Sequence, residues 1–204
     1  MAWNHVLLAV AVVLISVVEM ACGRSPQAPP AESSGLETDL RDAAQQVLSA
    51  FKVKDGQQLA QLVHPEKGVR FTPYTYVDLA QDRVFTRSEI ADFWKDQTSY
   101  FWGVVDGTDD ERIDLTPGQY VGRYVLDRDF APPALLGADA DRTIGANVTN
   151  AAEAYPEGHQ VAFSWEPPPG KGDPGYDTSI LRFVFEPEDG GWYLVAVIHN
   201  EWTP

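Results

Sequence analysis

The chain has 204 residues, a length that suits a leader plus one domain of ordinary size. It carries 15 Lys and Arg against 30 Asp and Glu, and a formal charge of -15 repels phosphate backbones and anionic lipid heads, which argues against nucleic acid as a partner. Its single cysteine, Cys22, rules out an intramolecular disulfide, so the hydrophobic core must hold the fold by itself.

Val6 to Val18 is a run of 13 residues, apolar but for Ser16. That is shorter than the ~20 residues a spanning helix needs and matches the core of a signal peptide. It leads into Met20, Ala21 and Cys22, which resemble the lipobox of bacterial lipoproteins. The resemblance implies that residues 1–21 are removed and that Cys22 is lipidated, anchoring the protein to a membrane and facing it outside the cytoplasm. Residues 22–36 are rich in Pro, Ser, Ala and Gly with no large apolar side chain before Leu36, and they read as a flexible tether.

Residues 37–204 read as a single domain. Leu40, Ala43, Ala44, Val47, Leu48 and Phe51 recur at helical spacing and predict an amphipathic helix over 37–53. Asp55 caps a short second helix with the stripe Leu59, Leu62 and Val63, ending at His64 before Pro65. Residues 68–77 alternate like a strand, with Pro73 confining them to an edge or a bend. Thr86 and Glu89 form a capping box, and Phe85 and Ile90 a hydrophobic staple, for a helix over 87–97. Strands follow over 99–105 and 112–115. Thr116, Pro117 and Gln119 then start a helix over 117–127, with Tyr120, Val121, Tyr124 and Val125 on its buried side. The chain turns helical again from Asn150, and 160–165 is a strand.

The last run, Thr178 to Trp202, is a hairpin around Pro187 to Gly190 and is apolar on both sides, so it belongs in the middle of a sheet. Pairing Glu186 with Gly191 puts Leu181, Phe183, Phe185, Trp192, Leu194, Ala196 and Ile198 on one face. Ile180, Arg182, Val184, Tyr193, Val195, Val197 and His199 then share the other. Helices first and strands late, without βαβ alternation, predict an α+β fold: N-terminal helices packed on a curved antiparallel sheet that ends in a central C-terminal hairpin.

This order of elements, with Lys54-Asp55-Gly56 between two helices and a Gly191-Trp192 strand at the end, resembles the nuclear-transport-factor-2-like, or cystatin-like, cone. The segments LVHPEKGVRFTPYTYV (62–77) and WYLVAVIHNEWT (192–203) are similar to an uncharacterised family of bacterial extracytoplasmic lipoproteins. That resemblance transfers no activity.

Chemical signals are sparse. Residues 170–175 spell G-x-G-x-x-G, but Pro174 and a following strand deny them the helix N-terminus that dinucleotide binding requires. Ser49 to Lys52 matches S-x-x-K inside a helix, with Phe51 on its core side. The acidic stretches Asp106 to Asp114 and Asp139 to Thr143 lack EF-hand spacing and read as solvated loops. No metal constellation and no cofactor motif is evident, because the histidines are far apart in sequence. What remains is a dispersed polar set, of which His64, Arg70, Tyr74, Arg182 and His199 are the candidate ligand-binding residues, with Glu66 and Glu201 beside them. The expected role is a membrane-tethered, non-catalytic module that binds a small molecule or an envelope component. The alternative is a small-molecule lyase, isomerase or hydrolase with His64 or His199 as general base.

Overall fold

A computed structural model describes residues 31–130, 134–136, 149–173 and 177–201. The signal-peptide run, Cys22, Trp202 and the Asp139 to Thr143 stretch lie outside the described residues. The described elements are α1 (Ala31–Val53), α2 (Gly56–Leu62), β1 (Val69–Thr72), β2 (Arg83–Phe85), α3 (Arg87–Ala91), β3 (Tyr100–Val104), β4 (Arg112–Leu115), α4 (Pro117–Tyr124), β5 (Ala134–Leu136), α5 (Ala151–Ala154), β6 (His159–Trp165), β7 (Ser179–Glu188) and β8 (Gly191–Glu201). The fold is α+β.

The local stop and start signals determine most of these boundaries. Asp55 accepts the amide of Gln58 at 2.9 Å and so opens α2. Both predicted capping boxes form, Thr86 with Glu89 on α3 and Thr116 with Gln119 on α4. α3 nevertheless closes at Ala91 rather than near Gln97, yet Phe93 is still buried in the core and Trp94 packs against it. α1 begins at Ala31, six residues ahead of its predicted start and inside the segment read as tether. Alanine, glutamate and serine at 31–34 tolerate helix well enough to extend it upstream of the apolar stripe.

Strand order in the main sheet is β2-β1-β8-β7-β6-β5, which places the β7–β8 hairpin in the middle, as its two apolar faces require. The sheet is mixed rather than antiparallel. β1 runs parallel to β8, pairing Arg70 with Ala196 and Thr72 with Ile198, because α1, α2 and the bend at His64 deliver it beside β8 in the same direction. β3 and β4 form a separate ribbon, tied across by Trp102 Nε1 donating to the Leu115 carbonyl at 2.9 Å.

The hairpin register also departs from expectation, at two places. The turn is the two-residue Asp189-Gly190, with φ of 48° and 79°, so Glu188 pairs with Gly191 and Pro187 with Trp192. Two consecutive positive φ values suit the right-handed strand twist, and Asp-Gly supplies them at low cost. Further along, Phe185 pairs with Leu194 but Val184 with Ala196, which leaves Val195 as the extra residue of a bulge. One extra residue inverts the alternation beyond it. Val197 and His199 therefore join Leu181, Phe183, Phe185 and Leu194 on the face that α1 covers with Val47, Leu48 and Phe51. Ala196 and Ile198 join Val184 on the opposite face, under Ala151, Ala154 and Tyr155 of the α5 segment.

Aromatic rings fill the first face. Phe71 of β1 is their hub, with centroids at 5.4 Å from Phe93, 5.7 Å from Tyr120, 5.8 Å from Phe85, 5.9 Å from Trp102 and 6.3 Å from Phe51. Trp102 and Tyr120 stack at 3.8 Å, so the β3–β4 ribbon and α4 are held to the core through ring contacts.

Candidate functional site

Two of the five predicted residues, His64 and Arg70, serve the scaffold in the described geometry. His64 is 2% exposed, and its Nδ1 accepts the amides of Glu66 at 3.2 Å and Lys67 at 3.1 Å. A nitrogen accepting two N–H groups carries no proton, so the ring is the Nε2–H tautomer, and that nitrogen lies 3.9 Å from Glu188 Oε2. This removes Nδ1 from acid–base work. The histidine closes the Pro65 turn, whose Gly68 has φ 67° and would drive any Cβ to 2.3 Å from the Phe85 carbonyl oxygen.

Arg70 clamps the loop after β1. Its Nε donates to the Tyr155 hydroxyl at 3.1 Å and its Nη1 to the carbonyls of Asp78, Leu79 and Asp82 at 3.3, 3.3 and 3.0 Å. In the same loop Asp82 Oδ2 accepts the Thr72 hydroxyl at 2.6 Å and the Asp78 amide at 3.0 Å. Burial nevertheless pushes the Asp82 carboxyl from 3.8 up to about 6, outweighing those hydrogen bonds and the Arg70 charge. A raised folded value means that the protonated form favours folding. The contribution is complete below 3.8 and is lost as pH rises through about 6. Asp82→Asn keeps an acceptor for both donors. It should flatten stability between these pH values and exceed the wild type at pH 7 by no more than ~2 kcal/mol after solvent screening, as urea midpoints at pH 4 and pH 7 would report.

Arg182 is 2% exposed on β7 and lies on the second face of the sheet, across from Ala162 and Ile198. The bulge at Val195 puts His199 on the first face, so these two residues do not share a site. Tyr74 is half-buried, with its ring 5.9 Å from Tyr124, which in turn lies edge-on to His199 at 5.6 Å. Tyr74 and His199 are therefore the two predicted residues that the fold brings towards one place.

That place is the end of the sheet where β8 finishes. His199 is fully buried, and its Nδ1 lies 3.2 Å from the Pro73 carbonyl oxygen. A carbonyl only accepts, so Nδ1 carries the proton and Nε2 faces the other way. Around Nε2 stand Ser179 Oγ at 3.4 Å and Asp127 Oδ2 at 3.4 Å. Glu201, two residues along β8 from His199 and thus on the same face, takes Arg123 as a fork, with Nη2–Oε1 at 2.5 Å and Nη1–Oε2 at 3.3 Å. Arg123 also lies 4.6 Å over the Tyr124 ring, and Arg128 comes within 3.8 Å of Asp127 Oδ2 while covering Trp165.

Asp127 comes from the turn that follows α4, and its side chain is 6% exposed. Oδ1 has no hydrogen-bond donor. Burial acts to raise this carboxyl, but the neighbouring His199 and Arg128 side chains outweigh it and hold the group below the ordinary carboxylate range. Burial, with the Tyr74 hydroxyl second, pushes the Tyr124 phenol well up. Ser179 and Asp127 address the same histidine nitrogen. A nucleophilic serine relay needs them on opposite ring nitrogens, so this is not a Ser-His-Asp triad.

Asp127 was missed in the sequence because the helix expected over 117–127 makes it an ordinary helix-end residue, and nothing local links it to position 199. The available signal was His199 and Glu201 at spacing two in a strand, which puts them side by side. The remaining predicted features add nothing to this site. Asp114 forms a fork with Arg112 at 2.7 and 2.8 Å, and the described part of the glycine-rich loop, Gly170 to Asp173, leads towards β7 rather than a helix. Among the described residues no helix is long and apolar enough to cross a membrane.

No protein-family model matches the chain, and no curated protein matches it either. Among solved structures, a domain of unknown function with a cystatin-like fold from Nostoc punctiforme PCC 73102 is similar over 82% of this chain and 78% of its own, at 13% identity and a TM-score of 0.37. A protein from Xanthomonas campestris assigned as a calcium/calmodulin dependent protein kinase II association domain is similar over 83% and 85%, at 15% identity and a TM-score of 0.31. The α+β class rests on the chain's own helices and sheet.

Proposed function

We propose that this protein is a lipid-anchored module of the cell envelope, with a cystatin-like cone that faces outside the cytoplasm and holds a ligand at the β8 end of the sheet without transforming it. The observation that carries the binding reading is the Asp127–His199–Glu201 cluster with Arg123 at its rim. Polar and charged groups withdrawn from water are costly unless partners meet them, and a folding core has no need of three such side chains at one strand end. The absence of a usable relay around His199 favours binding over hydrolysis. The anchor reading is supported by the apolar run Val6 to Val18, the lone Cys22 and the resemblance of 62–77 and 192–203 to bacterial extracytoplasmic lipoproteins.

One measurement addresses both parts. Native mass spectrometry of the full-length protein, extracted in detergent from its own host, should give a chain beginning at Cys22 with acyl mass on that residue. It should also give a non-covalent species bound to the wild type and absent from His199→Gln. An unmodified Cys22 overturns the anchor. Identical spectra for wild type and His199→Gln overturn the site.

A further inference from the structure

We infer that Asp127, His199 and Glu201 together bind a first-row divalent cation, for which Zn2+ is the best match. Three features carry this. First, one nitrogen and two carboxylate oxygens from these residues all lie within 4.8 Å of one another. One pair, His199 Nε2 and Asp127 Oδ2, stands at 3.4 Å, which is about the edge of a tetrahedron whose ligands sit ~2.0–2.2 Å from zinc. Second, His199 is oriented as a metal ligand is: Nδ1–H is spent on the Pro73 carbonyl at 3.2 Å, which fixes the tautomer that turns the Nε2 lone pair toward the two carboxylates. Third, Asp127 is withdrawn from solvent while its Oδ1 has no donor. An oxygen in that position is destabilising unless a cation or a proton meets it.

Arg123 does not disqualify Glu201. A carboxylate has about four lone-pair directions, so the fork to Arg123 leaves a direction free and fixes the side chain as an outer-shell partner would. Glu201 is 16% exposed and Arg123 47%, which makes their side of the cluster the entry path. One imidazole with two carboxylates suits zinc or manganese better than calcium, which takes oxygen ligands alone, or copper(I), which prefers sulfur. Three protein ligands leave a fourth position for water or for a group of the ligand.

The inference rests on the binding reading above and names what is bound. Its test is isothermal titration of chelator-treated full-length protein in detergent with Zn2+ alone. The wild type should take up one equivalent, and Asp127→Asn and His199→Gln should each weaken binding by at least ~10-fold. Circular dichroism verifies that the variants are folded; should either not fold, Glu201→Gln at the rim replaces it and should lose the same factor. No one-site uptake by the wild type, or equal affinity in the variants, overturns the inference. An organic species that leaves with His199→Gln while Zn2+ binds nowhere would overturn the metal and keep the binding site; neither an organic species nor Zn2+ would remove both.

Discussion

Phe71→Ala should cost ~3–5 kcal/mol of a domain stability that is typically ~5–15 kcal/mol. Phe71 is fully buried in the short strand β1 and touches five aromatic rings contributed by α1, the β2 strand, the segment after α3, the β3–β4 ribbon and α4. Removing it opens a cavity whose walls belong to five elements, and stacked rings cannot collapse into it without giving up their mutual geometry. With one cysteine in the chain no intramolecular disulfide limits the loss. Urea unfolding should show the midpoint falling steeply with an unchanged slope. A drop under ~1 kcal/mol would mean that the rings do not form one packed unit.

His199→Ala should be nearly as damaging, at ~3–5 kcal/mol, because it empties a fully buried ring position and leaves the Pro73 carbonyl and the Asp127 carboxylate without their neighbour. The face assignment from sequence implies the opposite ranking, with Trp192→Ala severe and His199→Ala mild. In the structure Trp192 sits half-buried at the turn end of the hairpin, across from Pro187 and 4.8 Å from the His159 ring, whereas His199 is fully buried. Trp192→Ala should therefore cost only ~1–2 kcal/mol. The His199→Ala loss should shrink in the Asp127→Asn background, since the two residues act as a pair. The carboxyl of Asp127 is held below its ordinary range in the folded protein, so its contribution is present above ~3.9 and disappears as pH falls further. The part of the His199→Ala deficit that comes through Asp127 should fade in that acid window.

Local signals were legible because they act over a few residues. The caps at Asp55, Thr86 and Thr116 and the stripe from Leu40 to Phe51 are determined by hydrogen bonds and spacing within one or two turns. The central position of the hairpin followed from its two apolar faces. The faces themselves did not, since one bulge at Val195 reverses every side chain after it, and alternation of hydrophobic residues on both sides gives no clue to where such an insertion falls. The site was half legible. His199, Tyr74 and Glu201 stood out as polar residues in an apolar setting, but their meeting with Asp127 depends on how α4 docks through Tyr120 and Tyr124, a long-range packing event with no sequence period. His64 and Arg70 were polar in an apolar setting for a different reason, the closure of two turns.

The central claim is that His199, and not His64, is the histidine of a binding site, and its tautomer reports this most directly. Long-range 1H–15N correlation spectra of the imidazole side chains, assigned with His199→Gln, should show neutral His199 protonated on Nδ1 and neutral His64 protonated on Nε2. Addition of Zn2+ should move the Nε2 resonance of His199 and leave His64 in place. The same tautomer at both positions, or a response at His64 with none at His199, would contradict the account.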